Sequence, residues 1–129
     1  MTTFTGMDNL KLLSLSRNAL KKIERLEDVA NTLEELWISY NQISSLDGIN
    51  MCSKLQVLYM TNNKISDWSE LDKLASLPEL REVAFVGNPC YEGLDKNAAK
   101  LQVLKRIPQL SKIDSEMVSP NERDAAKSL

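Results

Sequence analysis

The chain has 129 residues, 43% apolar and 26% charged, a composition of one ordinary globular domain rather than of a disordered segment. Its 16 basic and 18 acidic residues leave a net charge of −2, which argues against broad, charge-driven binding to nucleic acid. There is no histidine, and Cys52 and Cys90 lack metal-ligand spacing, so neither a zinc site nor a histidine-based catalytic centre is expected.

The first residues, Met1-Thr2-Thr3-Phe4-Thr5-Gly6, have neither a basic nor an apolar signal region, and no apolar run approaches membrane-spanning length. These features predict an intracellular protein with no membrane partner and two reduced cysteines serving as small apolar fillers. Phe4-Thr5-Gly6-Met7 resembles Leu46-Asp47-Gly48-Ile49, which precedes a later repeat, so the start reads as the tail of a missing earlier repeat. The edge around Leu13, Leu15 and Leu20 would then be under-covered and is expected to fray or to promote self-association.

From Leu10 onward one template recurs, L-x-x-L-x-L-x-x-N-x-L. Its copies are Leu10, Leu13, Leu15, Asn18, Leu20; then Leu33, Leu36, Ile38, Asn41, Ile43; then Leu55, Leu58, Met60, Asn63, Ile65; then Leu80, Val83, Phe85, Asn88 followed by Pro89. The starts are 23, 22 and 25 residues apart, inside the range of about 20–29 that marks leucine-rich repeats. Alternation in the L-x-L core predicts a short strand with one face inward, and stacked copies predict a parallel sheet. The asparagines should form a ladder that satisfies backbone groups left unpaired where each strand ends. Ile23, Leu46 and Trp68 share a register and should carry the chain back around the convex side as core residues. Asp67 and Glu70 have capping-box spacing, and Glu24 to Ala30 is similarly helical in pattern.

The C-terminal side reads as a cap. Lys96 to Ile107 predicts an amphipathic helix with Ala98, Leu101, Leu104 and Ile107 on one face, stopped by Pro108. Leu110, Ile113 and Asp114 resemble a last half-repeat. Ser119-Pro120-Asn121-Glu122 predicts a short helix through about Lys127. The expected organisation is a repeat domain over residues 1–114, with its cap helix at about 96–107, and a tail over 115–129. The fold class is α/β: a leucine-rich-repeat solenoid with a parallel sheet on one face, short helical or 3-10 convex segments and a C-terminal cap helix.

Function must use the outward positions of the strand face. These are Ser14, Trp37, Tyr59 and Ala84, with Leu12, Glu35, Val57 and Glu82 two residues earlier. Ser16, Ser39, Thr61 and Val86 follow, then Arg17, Tyr40, Asn62 and Gly87. Trp37, Tyr40, Val57 and Tyr59 are therefore expected to form an exposed, aromatic-rich patch of the kind found at binding hot spots. Leu12, Arg17, Asn62 and Val86 extend it, and Glu34, Glu35, Glu82 and Arg81 form its polar rim. With four glycines, no phosphate-cradling motif and no paired acids, the chain reads as a binding module without cofactor or catalysis.

The run from Leu33 to Ile43, containing Leu-Trp-Ile-Ser-Tyr-Asn, and the run from Leu55 to Trp68 closely resemble the leucine-rich-repeat light chains of axonemal outer-arm dynein. So do Asn18 to Glu24, Asn88-Pro-Cys-Tyr91 and Val103 to Asp114. The resemblance spans about Gly6 to Asp114. It implies a non-catalytic subunit of a ciliary or flagellar motor, in the cytoplasm and cytoskeleton of the axoneme. That subunit binds a dynein heavy chain through its sheet face near the microtubule-binding end and modulates motor activity. Trp37, Tyr40 and Tyr59 fall on that face, and a tubulin contact is left open. The chain departs from the family in lacking upstream repeats, in having Ala99 where a Tyr is usual, and in a tail after Met117 that matches only around Glu122-Arg123. Regulatory repeat proteins of the phosphatase or spliceosomal type are the alternatives.

Overall fold

The computed structural model describes residues 10–23 and 26–129. The expectations for Phe4 to Met7 and for Glu24 and Arg25 lie outside those residues. Each template copy supplies one three-residue strand: β1 (Leu12–Ser14), β2 (Glu35–Trp37), β3 (Val57–Tyr59) and β4 (Glu82–Ala84). Two further strands, β5 (Lys112–Ile113) and β6 (Glu116–Met117), complete a sheet in the order β1-β2-β3-β4-β5-β6. All neighbours are parallel except β5 and β6.

The register is strict: Leu13, Leu36, Leu58, Val83 and Ile113 lie side by side and point inward. Leu36, Leu58, Val83 and Ile113 are fully buried, and burying each such side chain contributes about 1.5–3 kcal/mol. Leu10, Leu13, Leu15 and Leu20, on the β1 edge, are only partly buried.

The asparagine ladder links each repeat to the one before it. The Asn63 amide donates to the Ile38 carbonyl at 3.0 Å and to Met60 at 3.2 Å, and its oxygen accepts from the Ile43 N–H at 3.1 Å. Asn41 and Asn88 repeat the pattern. Asn18, in the first copy, is exposed.

The convex returns are 3-10 segments at Leu26–Asp28, Ile49–Met51, Trp68–Leu74 and Pro89–Tyr91. The capping box expected at Asp67 and Glu70 does not form. Asp67 accepts from the Ser69 N–H instead, and Glu70 reaches across to accept from Leu46 N–H at 2.8 Å. Trp68 is half-buried, stacked at 5.6 Å on Tyr91, whose hydroxyl donates to Asp114 at 2.7 Å. Cys52 and Cys90 are free and buried, and burial pushes both thiols up to about 11.

Helix α1 (Lys96–Arg106), capped by the Asp95 side chain, covers the C-terminal end. Its buried face matches the expected one at Leu104 and Ile107 but is turned in the first two turns. Ala99, Lys100, Val103 and Leu104 are buried, while Ala98 and Leu101 are half-buried. The rotation arises because α2 (Pro120–Lys127) packs on α1 and a lysine can join the buried arc. The Lys100 ammonium donates to the Met117 carbonyl at 2.8 Å and pairs with Glu122 at 2.9 Å. Helix α2 begins with the expected capping box between Ser119 and Glu122. The boundary drawn after Asp114 falls inside the β5–β6 hairpin.

Candidate functional site: the outward face of the sheet

The central residue of each strand points into the core, and with a period of two the residues on either side of it face outward. They form two rows across the sheet. Leu12, Glu35, Val57, Glu82 and Lys112 are matched in one row, and Ser14, Trp37, Tyr59 and Ala84 in the next. Trp37 is 37% exposed and Leu12 41%. Their rows place Trp37 beside Tyr59, with ring centroids 5.8 Å apart and planes tilted by 39°. Ala84 keeps its place in the row but is buried.

Both rings of that pair hold a carboxylate. The Trp37 indole N–H donates to Glu35 at 3.3 Å, and the Tyr59 hydroxyl donates to Glu82 at 3.0 Å. Burial first, then the bond to Glu82 and the charges of Glu82 and Glu35, raise the Tyr59 phenol above its ordinary value. The indole and phenol are thereby fixed in orientation, which lowers the entropy a partner would have to remove on binding.

A third row lies just beyond the strands. Arg17, Tyr40, Asn62 and Gly87 occupy the same repeat position and all have left-handed backbones, with φ of 63°, 58°, 56° and 87°. Hydrogen bonds that continue the sheet hold them there: Arg17 N–H to Ser39, Tyr40 N–H to Thr61 and Asn62 N–H to Val86, each near 3 Å. The position suits glycine or asparagine. At Gly87 a Cβ would meet the Asn62 side-chain oxygen at 2.3 Å. An arginine and a tyrosine there cost conformational strain, and strain of this kind concentrates at functional sites. Tyr40 is 47% exposed, with the Arg17 guanidinium 4.2 Å above its ring centroid. Val86, next to Gly87, is 48% exposed.

All nine sequence-derived positions thus lie on or at the rim of one face: Leu12, Arg17, Glu35, Trp37, Tyr40, Val57, Tyr59, Asn62 and Val86. Sequence reasoning missed Met117, which extends the first row beside Lys112 and is highly exposed. Nothing in its local sequence announces strand β6. Among the described residues no group of three or more cysteine, aspartate or glutamate side chains is placed to hold a metal ion, and no helix is long and apolar enough to cross a membrane.

The family described as Leucine Rich repeats (2 copies) matches residues 31–73. The chain is 51% identical over 130 residues to the dynein axonemal light chain 1 of Chlamydomonas reinhardtii, covering 98% of this chain and 66% of that protein. It is 46% identical to the dynein axonemal light chain 1 of Danio rerio, covering 96% of this chain and 65% of that one. The chain therefore spans just under two thirds of the length of these relatives. In fold it is similar to a chain in the crystal structure of the Drosophila melanogaster SNF/U2A' complex, with a TM-score of 0.80 and 24% identity over 94% of this chain and 68% of that one.

Proposed function

As a member of the leucine-rich-repeat family and a relative of dynein axonemal light chain 1, the chain is, we propose, a non-catalytic dynein-associated subunit of the ciliary or flagellar axoneme. It docks through the outward sheet face on a dynein heavy chain, near the end that meets the microtubule, and modulates the motor. The observation that carries the reading is the grouping of Trp37, Tyr40 and Tyr59 on one open face. No repeat position requires an aromatic there, and two of these three rings are exposed.

The physical case is one of spare surface. An aromatic ring buries about 150–250 Å² when covered. On a bare parallel sheet face the part of each ring still exposed, 37% for Trp37 and 47% for Tyr40, is buried only by a partner. The charges of the face, including the half-buried Glu35 and the exposed Arg17, then orient the partner, and the preset rings carry affinity.

The test is capture from an axonemal extract by the immobilised chain. Retention of dynein heavy chain by the native chain, and its loss with Trp37→Ala, is the expected result. Retention of other complexes without heavy chain would refute the reading. Co-sedimentation of the chain alone with microtubules separates a direct tubulin contact from one through the heavy chain.

A further inference from the structure

Charge on the outward face is sorted along the strands. Its first row runs Leu12, Glu35, Val57, Glu82 and Lys112 across β1 to β5, in register. Strands lie about 4.8 Å apart, so Glu35 and Glu82 stand roughly 10 Å apart with Val57 between them. Their hydrogen-bond donors, Trp37 and Tyr59, are neutral and offset neither charge.

The cations of the region other than Lys112 are committed elsewhere. Lys112 pairs with Glu82 at 4.0 Å, the limit of ion-pair range, and that leaves Glu35 as the carboxylate of the row without a cation. Arg17 lies over the Tyr40 ring, at the opposite end of the strands. Lys11 is paired with Glu34 and Arg81 with Glu79. Among the described residues no lysine or arginine nitrogen lies within 4.0 Å of the Glu35 carboxylate. The field of the two carboxylates is felt at Tyr59, whose phenol both of them help to raise.

We infer that the segment seated on this face is basic and apolar, setting a lysine or arginine above Val57 between Glu35 and Glu82, and apolar side chains on Trp37 and Tyr40. The inference rests on the docking proposed above and deepens it. The chemistry follows from what covering the face would do. A partner that buried these carboxylates without a cation would strip their water and give nothing back. A guanidinium or ammonium reaching both sides supplies charge-assisted hydrogen bonds, while its aliphatic stem lies on Val57. The adjoining Trp37 and Tyr59 rings favour the same cation. An acidic or phosphorylated segment would be repelled at this row.

Two 20-residue helical peptides with one shared Leu/Phe stripe, flanked by arginine in one and by glutamate in the other, test the inference. Binding is read from peptide anisotropy and from tryptophan fluorescence, in a Trp68→Phe background so that Trp37 alone reports. The arginine peptide should bind at least tenfold more tightly, and raising salt should narrow the gap. The double variant Glu35→Gln, Glu82→Gln keeps both acceptors for Trp37 and Tyr59 and should abolish most of the preference. Equal binding of both peptides, binding of neither, or a preference that survives the double variant overturns the inference. Heavy-chain capture distinguishes the two levels. If the native chain and the double variant capture it equally, the basic segment is refuted and the docking stands; if neither captures it, the docking itself is refuted.

Discussion

Replacing Tyr40 with glycine separates the two things that this position does. Tyr40 sits at φ 58°, a conformation that costs an L-residue on the order of 1–2 kcal/mol and a glycine almost nothing. Glycine also gives the unfolded chain more freedom, which costs about 0.4–1 kcal/mol of stability. Loss of the Arg17 contact, 4.2 Å from the ring, removes about 0.5–1 kcal/mol more. The side chain is 47% exposed, so little apolar burial is lost. These effects nearly cancel, and Tyr40→Gly should change stability by less than about 1 kcal/mol. Tyr40→Ala removes the same contacts but keeps the strain, so it should be the less stable of the two by roughly 1 kcal/mol. Heavy-chain affinity should fall alike in both, by about 2 kcal/mol, or near thirtyfold, if the ring is a hot spot. Urea unfolding gives the first comparison and titrated capture of heavy chain the second. A glycine variant less stable than the alanine variant would refute the strain argument. Undiminished capture by both would remove Tyr40 from the interface.

Trp37→Ala should leave the urea midpoint nearly unchanged and abolish capture, whereas Leu36→Ala, one residue away and fully buried, should cost roughly 2–5 kcal/mol in urea unfolding. Equal stability losses would mean that the inward and outward assignments are wrong. Asn63→Ala strands the Ile43 N–H, while the Ile38 and Met60 carbonyls keep the Asn41 and Asn88 amides, with an expected loss of about 1–3 kcal/mol by urea unfolding. A neutral result there would show that water replaces the ladder. The Glu122 carboxylate is held below its ordinary value, first by the Ser119 backbone N–H and then by Lys100. A depressed carboxylate contributes stability that is present above its unfolded value and lost as pH falls through its folded one. Helix α2 should therefore lose amide protection below about pH 4.5 before β2 and β3 do, and hydrogen exchange at stepped pH would reveal the opposite order.

The strands were legible because a period of two, repeated at a fixed spacing, leaves one solution for which residues point inward. Leu36, Leu58 and Val83 needed no tertiary information. The outward register of Trp37 and Tyr59 came with them, since it is the complement of the same pattern. The cap was legible only in part. The face of α1 was misplaced in its first two turns because Lys100 reads as a solvent residue, and its burial depends on a carbonyl and a glutamate that come from β6 and α2. The Asp67–Glu70 signature misled for a related reason: Glu70 had a better partner one repeat away, at Leu46. The left-handed row was hidden too. Gly87 and Asn62 hint at it, but Arg17 and Tyr40 have no such preference, and only the continuing backbone ladder imposes it.

The β5–β6 hairpin turns on Asp114 and Ser115, whose φ values of 50° and 70° give the tight two-residue reversal that parallel repeats never make. Its consequence concerns how such a molecule can change length. A repeat array grows when a duplicated unit offers another strand of the same polarity to the last one. Here the last one runs backwards, and α1 and α2 close over the core behind it. Gene duplication, or an engineer adding consensus units, must therefore work on the β1 side of the hairpin. A unit spliced in between β2 and β3 would find matching polarity and a matching asparagine on both flanks, while one appended after Met117 would find neither.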